Sequence, residues 1–318
     1  SEIQSKGLNV IDKEMGRMKR PNAIYASFDE GLGMGSFNQF GYLGPSYPPE
    51  KDSSTIRIAL IGDSYVEGMD LFERHHFRTL LEDSLKKHYN QQVEVLNFGL
   101  SGFRFGNMYV YYEWFVKKFN PDLTLFFIYE LSLDQSLNQY MPRPVIINDS
   151  LIIENSHIHK NFSKLKRNNI PVQYSSIFVM FKNSFRLVKD KDYLFTMLFD
   201  KFYTSRKSSS EEPEKLDNAN EKDMEVIDKI FMKLQDEDVI IVNRNTDALP
   251  LVAEKYNIPE IFTQPYINKA FPDPKQANYW KVTNKYGHWN QEAHKVVADA
   301  LATELIKYFN TRNSQTYE

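Results

Sequence analysis

The stretch Ile56 to Gly68, IRIALIGDSYVEG, decides how the rest of the chain is read. It begins as a short apolar run ending at Ile61, the pattern of a strand buried on both faces, and breaks at Gly62-Asp63-Ser64. Glycine permits a tight exit from the strand. A serine just past a buried parallel strand presents its hydroxyl at the carboxyl edge of the sheet, where open α/β sheets bind ligands. Taken alone, such a serine is more simply a helix cap or turn residue, so the remainder of the chain has to decide its role.

Downstream, strands and helices alternate. Phe77, Leu80, Leu81 and Leu85 fall at helical spacing and predict an amphipathic helix over 75–90. A short strand follows at 93–97. Met108, Tyr111, Tyr112, Phe115 and Phe119 form a second helical stripe that stops at Asn120-Pro121, and the continuous apolar run at 123–129 reads as a central strand. Parallel strands need crossover helices, and crossovers cover a sheet. The succession therefore predicts a three-layer α/β/α sandwich with a central parallel sheet. The alternation resumes late in the chain, with a helix marked by Met224, Ile227, Phe231 and Leu234, strands at 239–242 and 259–262, a short helix at 250–256, and a last helix carrying Val297, Leu301, Leu305 and Tyr308.

These patterns divide the chain into three parts. Residues 1–55 hold glycine at 31, 33, 35, 41 and 44 and proline at 21, 45, 48 and 49, and read as an arm packing on the core. Residues 56–136 and 223–310 form the α/β domain. Residues 137–222 read as an insertion, with one strand near 145–153, an aromatic helical stretch over 175–203 and a mobile polar loop near 204–222.

Composition narrows the function classes. With 42% hydrophobic residues in 318, the chain is globular, and a formal charge of −3 gives no pull toward nucleic acid. No cysteine is present, which excludes disulfides, zinc–thiolate sites and a cysteine nucleophile. No apolar run reaches the length of a membrane span, and the opening residues lack the pattern of a secretion signal. The sequence starts at Ser1 rather than Met, which leaves room for a membrane anchor removed from ahead of it. The pairs His75-His76 and His157/His159 lack accompanying ligands at metal-binding spacing and read as exposed loop or helix histidines, and no cofactor is expected.

Gly62-Asp63-Ser64 resembles the first block of the SGNH (GDSL-type) hydrolases, and two later blocks support the match. Asn97-Phe98-Gly99-Leu100-Ser101-Gly102 is similar to the family's N-x-G-x-S-G, and His288-Trp289-Asn290 with His294 is similar to its closing D-x-H-x-N-x-x-G-H. Asn38-Gln39-Phe40-Gly41-Tyr42-Leu43-Gly44-Pro45 resembles a lead-in found in extracytoplasmic members linked to polysaccharide handling, although an ordinary Gly/Pro loop packing an aromatic reads the same way. The resemblance implies an SGNH-hydrolase-like, flavodoxin-like fold. It casts Ser64 as nucleophile, His288 as catalytic base, His294 as a second, structural histidine, and the backbone of Gly102 and of the Ser64 region as oxyanion donors. Its implied partner is an acylated carbohydrate or another small ester, in a periplasmic or cell-surface setting.

Two places depart from the pattern. The third block should supply an asparagine after the central strand, whereas the chain reads Tyr129-Glu130-Leu131-Ser132, with no asparagine before Asn138. The carboxylate that orients the histidine should lie two or three residues before it, where Tyr286 and Lys285 stand. Ser132 and Tyr286 are the candidate replacements. The expectation is a serine esterase or acyl-transfer enzyme, with a non-catalytic glycan-binding or polysaccharide-assembly partner of the same fold as the alternative.

Overall fold

Among the described residues five parallel strands form the central sheet: β1 (Ile56–Gly62), β2 (Val93–Gly99), β3 (Leu123–Ile128), β4 (Val239–Asn243) and β5 (Glu260–Phe262). The computed structural model describes residues 3–4, 8–133, 140–164, 221–245 and 250–315. From one edge to the other the order is 2-1-3-4-5, the flavodoxin-like order, with Leu60 opposite Asn97 on one side and Leu125 on the other. The connections after β1 and β3 leave in opposite directions. The carboxyl ends of these two neighbours therefore open a crevice, and Ser64 and Tyr129 are the residues that stand just beyond them.

Each strand feeds two cores. Along β1, Ile58 and Leu60 face the layer made by α2 (Phe77–Tyr89) and α7 (Gln291–Gln315), where Leu81, Leu85, Val297, Leu301 and Leu305 meet them. Ala59 and Ile61 face the other layer, built by α3 (Phe105–Trp114) and α4 (Glu221–Leu234), with Met108, Tyr112, Ile227 and Phe231. This two-sided burial is why the strands are continuous apolar runs rather than alternating ones. The result is a three-layer α/β/α sandwich with a central parallel sheet. Among the described residues no helix is long and apolar enough to cross a membrane.

The arm is built from short pieces. An antiparallel hairpin pairs Asn9–Asp12 with Gly16–Lys19, and a small sheet joins Ile3–Gln4, Ile24–Ser27 and Gly33–Ser36. The Asn38–Pro45 segment anchors it. Asn38 accepts from the N–H groups of Phe40 and Tyr42 at 2.9 and 3.3 Å and donates to the carbonyls of Gly44 and Pro45 at 3.4 and 3.1 Å. So folded, the loop drops the Tyr42 ring into the core, 4.8 Å from Phe98 between centroids.

The insertion differs from expectation where it is described. In place of one strand near 145–153 there is a hairpin, Arg143–Ile147 with Ser150–Glu154. Its turn is Asn148-Asp149, both with positive φ (50° and 62°), the two-residue turn whose twist suits a hairpin. The expected helical stretch over 175–203 and the polar run up to 220 lie outside the described residues, while Glu221 and Lys222 already belong to α4.

Asn38→Ala removes four hydrogen bonds from a buried loop. Leaving those backbone groups unmet should cost about 1–3 kcal/mol, seen as a lower urea midpoint with an unchanged slope.

Candidate active site

β1 ends at Gly62, and Asp63 caps the short helix α1 (Ser64–Glu67) by accepting the Tyr65 N–H at 3.0 Å. Ser64 thus occupies the first helical position, where a backbone N–H has no intrahelical acceptor. Beneath it, Arg244 Nη1 lies 3.2 and 3.3 Å from the two carboxylate oxygens of Asp63. The guanidinium sits 3.4 Å from the Tyr65 ring centroid, 4.4 Å from Tyr129 and 5.1 Å from Trp289. Such cation–π contacts compensate part of the cost of burying the pair. Arg244 went unnoticed in the sequence, although a charged residue directly beyond the buried VIIVN strand is positioned at the ligand-binding edge.

The imidazole arrives from the opposite end of the chain. Asn290 caps α7, accepting the Ala293 N–H at 3.0 Å while its own amide holds the carbonyls of Gln276 and Tyr279 at 2.7 and 2.9 Å. Trp289 is buried, and Trp280 Nε1 donates to the His288 carbonyl at 3.0 Å. Thus fixed, His288 places Nε2 2.6 Å from Ser64 Oγ.

The orienting carboxylate comes from the arm. Glu30 accepts from His288 Nδ1, with both oxygens at 2.9 Å, and from the His288 backbone N–H at 2.5 Å. With Nδ1 carrying the proton toward Glu30, Nε2 is left as the acceptor for the serine hydroxyl. Gly287 makes the approach possible, because a Cβ there would lie 2.0 Å from the Glu30 carboxyl carbon. The arm is held in register by Lys285 Nζ donating to the Asp29 carbonyl at 3.2 Å and by the Thr283 hydroxyl on the Glu30 carbonyl.

Glu30 corrects the expectation of a missing acid, and Tyr286 is not its replacement. That tyrosine is 60% exposed and packs on the Tyr279 ring. Ser132 is corrected as well: it is fully buried, and its hydroxyl accepts the Tyr129 N–H at 3.3 Å within its own turn. Glu130 is exposed, and Asn138 lies outside the described residues. Gly102 follows β2 with φ +80°, a left-handed conformation that favours glycine. Its loop is tied to the end of β1 by Leu100 N–H on the Gly62 carbonyl (3.0 Å) and to the serine helix by Ser101 N–H on Glu67 (2.9 Å).

His294 is buried and accepts the Phe77 N–H at 3.2 Å, and burial holds its pKa down to about 3. His76, expected as an exposed histidine, is also buried. It caps α2 by accepting the Arg78 N–H at 3.0 Å, and burial likewise keeps it neutral. His288 behaves in the opposite way. Burial lowers its pKa, but the hydrogen bond and charge of Glu30, helped by Asp70 and Asp63, outweigh burial and raise it above the ordinary value. Glu30, Asp70 and His288 bring donor atoms within 4.8 Å of one another. Both imidazole nitrogens are engaged, one with Glu30 and the other with Ser64.

No family model and no curated protein matches the sequence. Solved structures similar to the chain include a lipase/acylhydrolase from Enterococcus faecalis (12% identity, 79% of this chain and 95% of that one, TM-score 0.42). Another is an acetylxylan esterase from Geobacillus stearothermophilus (13% identity, 78% and 93%, TM-score 0.40). A third is a two-domain esterase active on acetylated mannans, co-crystallised with mannopentaose (13% identity, 80% and 49%, TM-score 0.38).

The geometry sets the titration of His288. Its imidazole should titrate above the ordinary value of 6.5, and Glu30→Gln should lower the midpoint in side-chain NMR. Gly287→Ala should lower it in the same way, because the added Cβ displaces the end of the Glu30 side chain from the ring. His294 should show no titration between about pH 5 and 8.

Proposed function

We propose that the chain is a serine esterase of the SGNH type, removing or transferring an acyl group, acetyl above all, carried on a carbohydrate. The observation that carries this reading is the continuous relay Ser64–His288–Glu30, with 2.6 Å and 2.9 Å between its partners. In the reaction, Ser64 Oγ attacks the ester carbonyl carbon as its proton passes to His288 Nε2. The imidazolium so formed is stabilised by the charge of Glu30, which also holds the ring in the productive tautomer. The oxyanion of the tetrahedral intermediate faces the N–H groups of Ser64 and Gly102. Collapse breaks the ester C–O bond, and the alcohol leaves with the proton from Nε2. Water, or an acceptor hydroxyl in the transfer case, then attacks the acyl carbon as its proton passes to Nε2, and collapse breaks the acyl–Oγ bond as Nε2 returns that proton to Ser64.

Support for a sugar as the alcohol is a cleft of about 520 Å³ beside the histidine loop, lined by Phe72, Arg74, His75, Tyr279, Trp280 and Asn290. Aromatic faces with polar groups between them suit a pyranose ring, which has apolar faces and a hydroxylated rim. The extracytoplasmic setting and a polymer partner follow the same family resemblance. Among the described residues no asparagine follows β3 at the third-block position, which favours a non-catalytic glycan-binding protein, and turnover separates the two readings.

Hydrolysis of p-nitrophenyl acetate should be abolished to background by Ser64→Ala, and equal rates for the two proteins would sink the esterase. Glu30→Gln should lower kcat by about 10²- to 10⁴-fold, as removal of the orienting carboxylate does in the serine-protease template. The base must be neutral to act, so the rate should rise with pH through the elevated His288 midpoint, and in Glu30→Gln this limb should move to lower pH. Phe72→Ala should raise KM for an acetylated oligosaccharide several-fold while leaving p-nitrophenyl acetate turnover within about twofold, a contrast that tests the cleft.

A further inference from the structure

Arg17 and Lys19 stand two residues apart on the arm strand Gly16–Lys19 and so leave it on the same face. Both converge on the loop after β2. Arg17 Nη2 donates to the carbonyl oxygen of Ser101, and the backbone of Arg17 is itself held by its N–H on the Tyr140 carbonyl at 3.1 Å. Lys19 acts from the other side: its Nζ is 2.5 Å from Glu67, and Glu67 accepts both the N–H of Ser101, at 2.9 Å, and its hydroxyl. Residue 101 is thus gripped at its amide, its side chain and its carbonyl.

The carbonyl of Ser101 and the N–H of Gly102 belong to one peptide unit. That unit is planar and trans, so its C=O and N–H point in opposite directions, and whatever fixes one fixes the other. A guanidinium on the carbonyl oxygen also draws electron density from the amide nitrogen, and linked hydrogen bonds polarise one another in this way. The Arg17 Nε, moreover, is buried with no hydrogen-bond partner among the described residues. A cation held at that desolvation cost is a poor device for stability alone.

We infer that Arg17 is a positioning residue that aims and strengthens the Gly102 N–H as an oxyanion donor, with Lys19 and Glu67 bracing Ser101 through its amide and hydroxyl. The inference rests on the serine-esterase reading of the site. It extends that reading, because the arm then serves both halves of the chemistry, orienting the base through Glu30 and the electrophilic donor through Arg17.

The test compares the full chain with Arg17→Met and Arg17→Ala. With p-nitrophenyl acetate, Arg17→Met should lose about 10- to 100-fold in kcat, less than removal of a direct oxyanion donor. KM should stay within about threefold and the pH midpoint of the His288 limb should not move. Added guanidinium ion at millimolar concentration should restore part of the Arg17→Ala rate. A purely structural arginine predicts otherwise: kcat within about twofold of the native protein, or a loss accompanied by a lowered thermal midpoint and no guanidinium rescue, would overturn the inference. The donor is also read without turnover, from the Gly102 amide resonance in 1H–15N spectra, which should shift upfield in Arg17→Met and return toward its native position with guanidinium in Arg17→Ala. If the native protein shows no Ser64-dependent turnover, the esterase reading fails, and with it the oxyanion role. An unmoved Gly102 resonance in an active native enzyme overturns the clamp alone.

Discussion

The bond between the Glu30 carboxylate and the His288 imidazole is the constraint to which the rest of the molecule answers. It joins residues 258 positions apart, and both the ring and the backbone N–H of His288 depend on it. Closing so long a loop carries an entropic cost that grows only slowly with length, and it is met by packing elsewhere in the arm. Tyr25 and Phe37 form a small core with Met69 at the end of the serine helix loop, and Tyr42 reaches into the main core under α3. The arm's short strands bury little on their own; what they do is deliver one carboxylate to one imidazole.

The site is layered by physical role. The parallel sheet, buried on both faces, supplies a rigid rim and the serine. Below the rim lies the Asp63–Arg244 pair, enclosed by Tyr65, Tyr129 and Trp289. A buried pair of this kind contributes little net stability against an apolar substitute, but losing one partner leaves the other charge stranded. Its placement under the cap of α1 ties the orientation of Ser64 to the end of β4. Two neutral buried histidines, His76 and His294, fill the space behind His288 without placing a second positive charge there.

The sheet was readable because burial on both faces leaves an unmistakable trace: runs such as LTLFFI and VIIV, with helical stripes between them, admit few other folds. Ser64 and His288 were singled out by short contiguous motifs, Gly62-Asp63-Ser64 and His288-Trp289-Asn290, that resemble a known pattern, and the structure brings the two side chains together. Glu30 was not. It lies in an irregular, glycine-rich segment, it is one of 42 acidic residues, and its role exists only through a partner at the far end of the chain. The trace it left was indirect. Gly287 stands directly before the histidine, next to the positions where an acid was expected, and its missing side chain is the space the carboxylate occupies. Ser132 and Tyr286 misled for the converse reason: proximity in sequence to the right strand or the right histidine says nothing about which way a side chain points.

The three groups of the relay are spread so widely along the chain that no contiguous fragment shorter than residues 30–288 contains them all. A chain still emerging from a ribosome therefore lacks the complete arrangement however well its first strands have formed, because the imidazole that joins the other two groups is made last.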